Sequence, residues 1–291
     1  CSNVTGVFSP YYEIAEIMHD NGGLCFVDFA CSAPYVDINM HPKNKKQQLD
    51  AIYFSPHKFL GGPGSTGILA FKKELYKNNI PDNPGGGTVD WTNPWGGHKY
   101  VDDIEAREDG GTPAFLQTIK TALAIQLKNK MGVRNILDRE HELHKIIWSK
   151  FSSLENLHVL ADNFPERLGV YSFYIDNLHF NLAVQLLNDK YGIQVRGGCS
   201  CAGTYGHILL NVQPDQSCDI TTKINEGNLT SKPGWVRMSI HPTMTDEEIH
   251  YIMNAIEVIA KNHKELCKDY KYNSGYGYQS ERLALYHRAP P

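Results

Sequence analysis

Two short segments carry residues whose types and spacing could do chemistry. Asp28 directly follows an apolar stretch, Leu24-Cys25-Phe26-Val27, and Ser55-Pro56-His57-Lys58 directly follows another, Ala51-Ile52-Tyr53-Phe54. A lysine amine condenses with an aldehyde, and a carboxylate keeps a ring nitrogen protonated so that the ring withdraws electrons. Serine and histidine beside the lysine supply donors for a phosphate. Together these are the requirements of pyridoxal 5'-phosphate. Each residue also has an ordinary reading: an Asp after a strand commonly caps a turn, and a loop Lys is commonly a solvated charge.

A second cluster lies at Arg196-Gly197-Gly198-Cys199-Ser200-Cys201-Ala202-Gly203. A nucleophilic thiolate needs exposure and a positive neighbour, and the arginine and the glycines offer both. In Trp235-Val236-Arg237-Met238-Ser239-Ile240 the apolar side chains alternate with Arg237 and Ser239, so the arginine faces away from Val236 and Met238. An arginine on that face is often simply solvated, although bidentate binding of a carboxylate is what a guanidinium does best. Cys199, Cys201, His207 and Cys218 could instead be metal ligands, but one residue between the first two is not the spacing of structural zinc sites. His141-Glu142-Leu143-His144 also lacks the zinc-protease spacing and reads as core or surface histidines.

The elements that must position these residues alternate between helix and strand. Ser9-Pro10 reads as an N-cap and first-turn pair, followed by Ile14, Ile17 and Met18 at helical spacing, and Asn21-Gly22-Gly23 as the stop. Short apolar strands end at Asp28 and at Phe54, and a third, Gly67–Phe71, follows the turn Gly61-Gly62-Pro63-Gly64-Ser65-Thr66. That turn lacks the Lys-Ser/Thr ending of a nucleotide loop. Continuous apolar strands interleaved with helices predict an α/β domain with a mostly parallel sheet. Ligands of such sheets sit beyond the carboxyl ends of the strands, where Asp28 and Lys58 fall. Residues 79–112 read as a long Gly-, Pro-, Asn- and Asp-rich loop, ending at a second cap pair, Thr112-Pro113. Leu116, Ile119, Leu123 and Leu127 predict a helix, and Val133 to Leu154 a longer one. Thr245-x-x-Glu248 opens the last helix as a capping box.

Composition narrows the classes further. With 28 Lys and Arg against 32 Asp and Glu, the net charge of −4 gives no electrostatic footprint for nucleic acid. No apolar run is long enough to span a bilayer. Seven cysteines, an odd number scattered over 291 residues, suit a reducing compartment and predict a cytoplasmic protein, with an organelle left open.

Taken together, the segments resemble the class V, aminotransferase-like family of fold-type I pyridoxal-phosphate enzymes, which includes cysteine desulfurases and selenocysteine lyases. The resemblance runs from Asn3 to about Leu266. It is carried by Ser55-Pro56-His57-Lys58, by the Val27-Asp28 element, by Gly111-Thr112-Pro113 and by Arg196 to Ala202. It implies that Lys58 is the Schiff-base lysine, Asp28 the partner of the pyridine nitrogen, and Ser55 and His57 phosphate ligands. Asn3 would approach the phenolic oxygen, as would Cys31, where desulfurases usually carry Gln. Thr112 would reach the phosphate of a neighbouring subunit, making the active unit a homodimer with shared sites. Cys201 would take sulfur from a cofactor-bound cysteine as a persulfide, releasing alanine. Arg237, with Arg196, would hold the substrate carboxylate. A sulfur-acceptor protein is the further partner.

The implied architecture is residues 1–130 as the C-terminal part of the large cofactor domain, 131–270 as a small α+β domain and 271–291 as an extended tail. The family's phosphate loop and ring-stacking residue lie ahead of the position of Asn3, so the chain as given is expected to bind the cofactor weakly or not at all. Desulfurase or selenocysteine lyase-like chemistry is favoured over a class V aminotransferase, and a non-catalytic fragment of such an enzyme is the third reading. No metal is expected.

Overall fold

The computed structural model describes residues 1–273 and 277–280. They form two units, Pro10–Val133, and Cys1–Ser9 together with Arg134–Pro291.

In the first unit, helix α1 (Tyr11–Asp20) precedes strands β1 (Phe26–Asp28), β2 (Ala51–Phe54) and β3 (Ile68–Phe71). β1 and β2 run parallel, with Asp28 opposite Tyr53. β3 reverses and pairs antiparallel to β2, with Tyr53 opposite Leu69. The reversal has a simple cause. Only a 3-10 turn and the glycine-rich loop join β2 to β3, with no α-helix, the element that usually carries a parallel return. One face of the sheet packs into a core of Ala15, Cys25, Phe29, Leu49, Ile52, Phe59 and Ala124. The opposite face carries Phe26 (56% exposed), Tyr53 (42%), Leu69 (64%) and Phe71 (37%).

Residues 79–112 are not a structureless loop. They hold a hairpin, β4 (Val89–Thr92) and β5 (His98–Tyr100), and a short helix, α2 (Ile104–Glu108), capped by Asp103 accepting from the Ala106 amide. Helix α3 (Phe115–Met131) follows. The periodicity located α1 and α3 but not their buried sides. Ile14, Ile17 and Met18, and Leu116, Ile119, Leu123 and Leu127, are exposed, while Ala15, Thr121 and Ala124 are buried. The caps also shift. Pro10 occupies the N-cap of α1 and Ala114 that of α3, neither with a side-chain cap bond. A proline has no side-chain acceptor, and Thr112 stands too far upstream of Phe115 to reach the free amides of the first turn.

The second unit centres on helix α4 (Val133–Ser152) and a four-stranded antiparallel sheet of β6 (Leu157–Val159), β7 (Val170–Ile175), β8 (Arg196–Gly198) and β9 (Trp235–Ser239), in the order β6-β7-β9-β8. α5 (Phe180–Tyr191) ends at Gly192 in the left-handed region. α6 (Gly203–Leu209) and α7 (Pro214–Asn225) lie between β8 and β9. α8 (Asp246–Leu266) starts with both bonds of the Thr245–Glu248 capping box formed. Leu143, Ile147, Tyr171, Phe173, Met238 and Ile256 are among the buried side chains that join these layers. His144 is half-buried at the edge of this core, sharing a hydrogen bond with the Tyr171 hydroxyl at 2.9 Å, and burial lowers its pKa to about 4. Of the expected tail, β10 (Tyr270–Asn273) pairs with β11 (Gly277–Ser280) as an antiparallel hairpin. Residues 281–291 lie outside the described residues.

The first nine residues are fastened into this unit. Arg167 donates to the Thr5 carbonyl at 3.1 Å, the Ser172 hydroxyl donates to the Val4 carbonyl at 2.6 Å, and Val7 bridges to Arg167. Gly6 has a φ of 74°, and a Cβ there would stand 2.7 Å from the Leu168 carbonyl oxygen, so only glycine fits.

A buried carboxylate organises the start of the first unit. Asp50 accepts from His19 at 2.8 Å, from Lys72 at 2.7 Å and from the Cys25 amide at 2.8 Å. Burial pushes the Asp50 carboxyl up, but these donors outweigh it and hold it below its usual 3.8. The hydrogen bond to Asp50 raises His19 above 6.5. A lowered acid contributes stability that is lost as pH falls through its folded pKa, and a raised histidine contributes stability that is lost as pH rises through its own. Asp50→Asn is therefore expected to lower Tm most between the unperturbed values of 3.8 and 6.5. The gap between wild type and variant should narrow on either side. Thermal melts of both proteins across pH check this, and a gap that widens steadily with pH would refute it.

Candidate functional site

Within the first unit, the β1–β2 register decides where the chemistry falls. Parallel strands end at the same edge, and Asp28 opposite Tyr53 leaves Asp28 and the segment from Ser55 emerging side by side. Pro56–Lys58 forms a single 3-10 turn, closed by Lys58 N–H to the Ser55 carbonyl at 3.1 Å. Phe59 anchors it, being 4% exposed and packed near Phe54. The Gly62 amide then donates to the Phe59 carbonyl at 2.9 Å. A Cβ on Gly62 would lie 1.9 Å from the Pro56 carbonyl oxygen. Glycine is what lets the chain fold back under the lysine turn.

His57 and Lys58 are exposed and Ser55 is half-buried. Among the described residues, none of the Ser55, His57 and Lys58 side chains makes a hydrogen bond or ion pair. Asp28 uses one carboxylate oxygen to accept from the Ala30 amide at 2.7 Å, the ordinary turn role, and its other oxygen stays available. An amine, a hydroxyl, an imidazole and a carboxylate oxygen, all uncommitted at one sheet edge, fit the donor set that pyridoxal phosphate requires. Cys31 is half-buried in the turns that follow. Lys128, which the sequence reading missed, braces those turns. Its ammonium donates to the carbonyls of Ala33, at 2.7 Å, and Val36, and lies 5.7 Å from the Phe59 ring centroid. Burial lowers its pKa. No spacing in the sequence marks a lysine on α3 for this task. Thr112 is exposed, upstream of α3.

The second unit gathers the other candidates. In the β8–β9 ladder Arg196 pairs directly with Arg237, so the two guanidinium groups issue from one face. Arg196 Nη2 donates to Cys201 Sγ at 3.2 Å, and Cys201 is exposed. Exposure beside a cation is the setting of nucleophilic cysteines. Cys201 and Ser200 have φ values of 63° and 50°, and the Ala202 amide closes the turn on the Cys199 carbonyl at 2.8 Å. Cys199 turns away toward the Pro233 carbonyl. Arg237 Nη1 donates to the Asn3 carbonyl at 3.1 Å, and the Asn3 side-chain amide donates to the Ser200 carbonyl at 3.0 Å. The indole of Trp235, fully buried, donates to Ser200 Oγ at 3.2 Å. The alternating pattern located Arg237 but gave no sign of this role for its neighbour Trp235. Among the described residues no three His, Cys, Asp or Glu side chains converge to hold a metal, and His207 bonds instead to Ser217.

The family model described as Aminotransferase class-V matches residues 1–252. The chain belongs to that family. It is 32% identical over 201 residues to a probable cysteine desulfurase of Halalkalibacterium halodurans, covering 69% of this chain and 47% of the relative. A probable cysteine desulfurase of Methanothermobacter thermautotrophicus is 28% identical over 262 residues, covering 89% and 58%. Among solved structures, the apo cysteine desulfurase of Thermococcus onnurineus superposes with a TM-score of 0.71 at 28% identity, covering 90% of this chain and 58% of that one. A cysteine desulfurase of Escherichia coli gives 0.69 at 20% identity and shows the fold alone. This is the fold-type I architecture of pyridoxal-phosphate enzymes that the Ser-x-His-Lys segment implied. The chain spans about half the length of the curated relatives it matches.

Gly62→Ala is expected to push the Pro56–Lys58 turn out of place, at a cost of about 1–3 kcal/mol for overpacking against backbone. Gly61→Ala has no atom within 4 Å to strike and meets only its positive φ. Urea midpoints for the two variants check the order, and a Gly62→Ala variant as stable as wild type would contradict the close approach.

Proposed function

We propose that this chain carries the lysine and the sulfur-accepting cysteine of a pyridoxal-phosphate-dependent cysteine desulfurase. The observation that supports it best is Cys201, exposed and within 3.2 Å of Arg196, beside the Arg196–Arg237 pair. A transaminase has no use for a thiol held in that way. In this reading residues 1–130 are the C-terminal part of the large cofactor domain and 131–270 the small one, although residues 1–9 pack with the second unit.

Lys58, Asp28, Ser55 and His57 would hold the cofactor, and the family resemblance adds Asn3, Cys31 and Thr112 to its ligands. When bound, the group supplies an electron-withdrawing ring that labilises bonds to the substrate's α and β carbons. Lys58 would hold the group through its amine, and Asp28, with its uncommitted oxygen, would hold a proton on the ring nitrogen. Arg237 and Arg196 grip the substrate carboxylate, which orients the substrate sulfur toward Cys201. In the net reaction the sulfur leaves the β-carbon of cysteine and joins Cys201 Sγ as a persulfide. The carbon takes up a proton, and alanine is the product. A sulfur-acceptor protein or a small thiol then takes the terminal sulfur.

A homodimer with shared sites is part of this reading. It draws support from Thr112 standing exposed just ahead of α3, whose first turns present Phe115 and Leu116, 62% and 79% exposed. A cytoplasmic setting draws support from all seven cysteines being free thiols. Among the described residues no helix is long and apolar enough to cross a membrane.

Two measurements test the reading. With pyridoxal phosphate at saturating concentration, borohydride reduction should fix the cofactor on Lys58, located by peptide mass, and Asp28→Asn should reduce that labelling. Labelling of Lys58 no greater than that of other exposed lysines would point to a non-catalytic fragment. In the protein that turns over cysteine, Cys201→Ser should abolish sulfide release while keeping cofactor absorbance. Unchanged turnover would favour the aminotransferase.

A further inference from the structure

Ser200 stands between the two cysteines and is held on both sides. Its hydroxyl accepts from Trp235 Nε1 at 3.2 Å, and its carbonyl accepts from Asn3 Nδ2 at 3.0 Å. Both Ser200 and Cys201 adopt left-handed backbone, with φ values of 50° and 63°, a region that residues with a Cβ seldom occupy without outside support. The Asn3 bond arrives from the far end of the chain.

Asn3 is also tied to the arginine. Its carbonyl accepts from Arg237 Nη1 at 3.1 Å. One residue therefore touches the guanidinium through its backbone and the cysteine turn through its side chain. The backbone on which it sits is rigid. Ser2 Oγ accepts from the Val4 and Thr5 amides at 3.2 and 3.1 Å, and Val4 and Thr5 are fully buried. Their carbonyls are held by Ser172 and Arg167.

We propose that Asn3 is a positioning residue that fixes the spacing between the Arg237 guanidinium and the Cys201 thiol, so that a molecule held by its carboxylate is presented to that sulfur. The inference rests on the reading of Cys201 and Arg237 as parts of one site for an amino-acid substrate. It assigns Asn3 a task that needs no cofactor, and one Nδ2 hydrogen suffices for it.

Alkylation of Cys201 by iodoacetate and by iodoacetamide tests whether the guanidinium and the thiol act on one molecule. In both reactions the thiolate displaces iodide from the reagent carbon, a sulfur–carbon bond forms, iodide departs and the thiol proton goes to the buffer. Only iodoacetate has a carboxylate for the arginines to hold. Peptide mass spectrometry reads each site separately, and Cys218, exposed on α7, serves as the internal reference. The ratio of iodoacetate to iodoacetamide rates should be several-fold higher at Cys201 than at Cys218 in the wild-type chain. Asn3→Ala should bring the Cys201 ratio down to the Cys218 value while leaving Tm little changed. Asn3→Ser, whose hydroxyl is too short to reach Ser200, gives the same readout should the alanine variant fold poorly. A wild-type preference that survives in these variants overturns the role of Asn3 alone. No preference in the wild-type chain overturns the shared arginine–cysteine site, and this inference with it.

Discussion

Two arginines sit directly across from one another on the β8–β9 ladder. Like charges so placed repel, and a sheet tolerates them only where neighbouring groups absorb the charge. The neighbours include a carbonyl and a sulfur: Arg237 donates to Asn3 O and Arg196 to Cys201 Sγ. The surroundings of the pair follow from this arrangement. The chain brings residues 1–9 back to β7 and β9, which supplies the carbonyl, and turns sharply after Gly198, which supplies the sulfur. The left-handed pair Ser200 and Cys201 is that turn, and the buried Trp235 is its support.

The first unit solves a different problem, that of holding a long, flexible lysine at a strand end. Its answer is steric. The parallel register brings Asp28 and Ser55 to one edge, the 3-10 turn points Lys58 outward, and Phe59 and Gly62 close the turn from beneath. Lys128 performs a related service behind Asp28, its ammonium bonded to backbone carbonyls rather than to an acid. Few of these contacts involve charge pairs, so the geometry depends little on ionic strength.

Much of this was legible in the sequence because it is written in local patterns. The strands at Ala51–Phe54 and Val170–Ile175 occur where apolar residues run continuously, and the Thr245–Glu248 box forms as its spacing predicts. Asp28 and Lys58 stand out because reactive residue types follow such runs at strand ends, Arg237 because it interrupts the apolar alternation within β9, and Cys201 because it follows an arginine and two glycines. What stayed hidden depends on distant partners. Periodicity reports that α1 and α3 have apolar rows but cannot say whether anything covers them, and in the structure these rows face outward. The hairpin at 89–100 hid within a stretch whose Gly and Pro content resembles a loop. Asn3 and Ser200 lie 197 positions apart, and nothing local signals their bond.

The sheet face bearing Phe26, Tyr53, Leu69 and Phe71 has one further member. Side chains two apart on a strand share a face, so Asp28 projects from the same surface as Phe26, next to Tyr53 and Leu69 in register. The carboxylate thus borders an aromatic and aliphatic surface while exposed to water. Any apolar layer laid over that surface would expel the water and lower the local dielectric. An exposed acid with little grip would become a strong anchor for a protonated nitrogen.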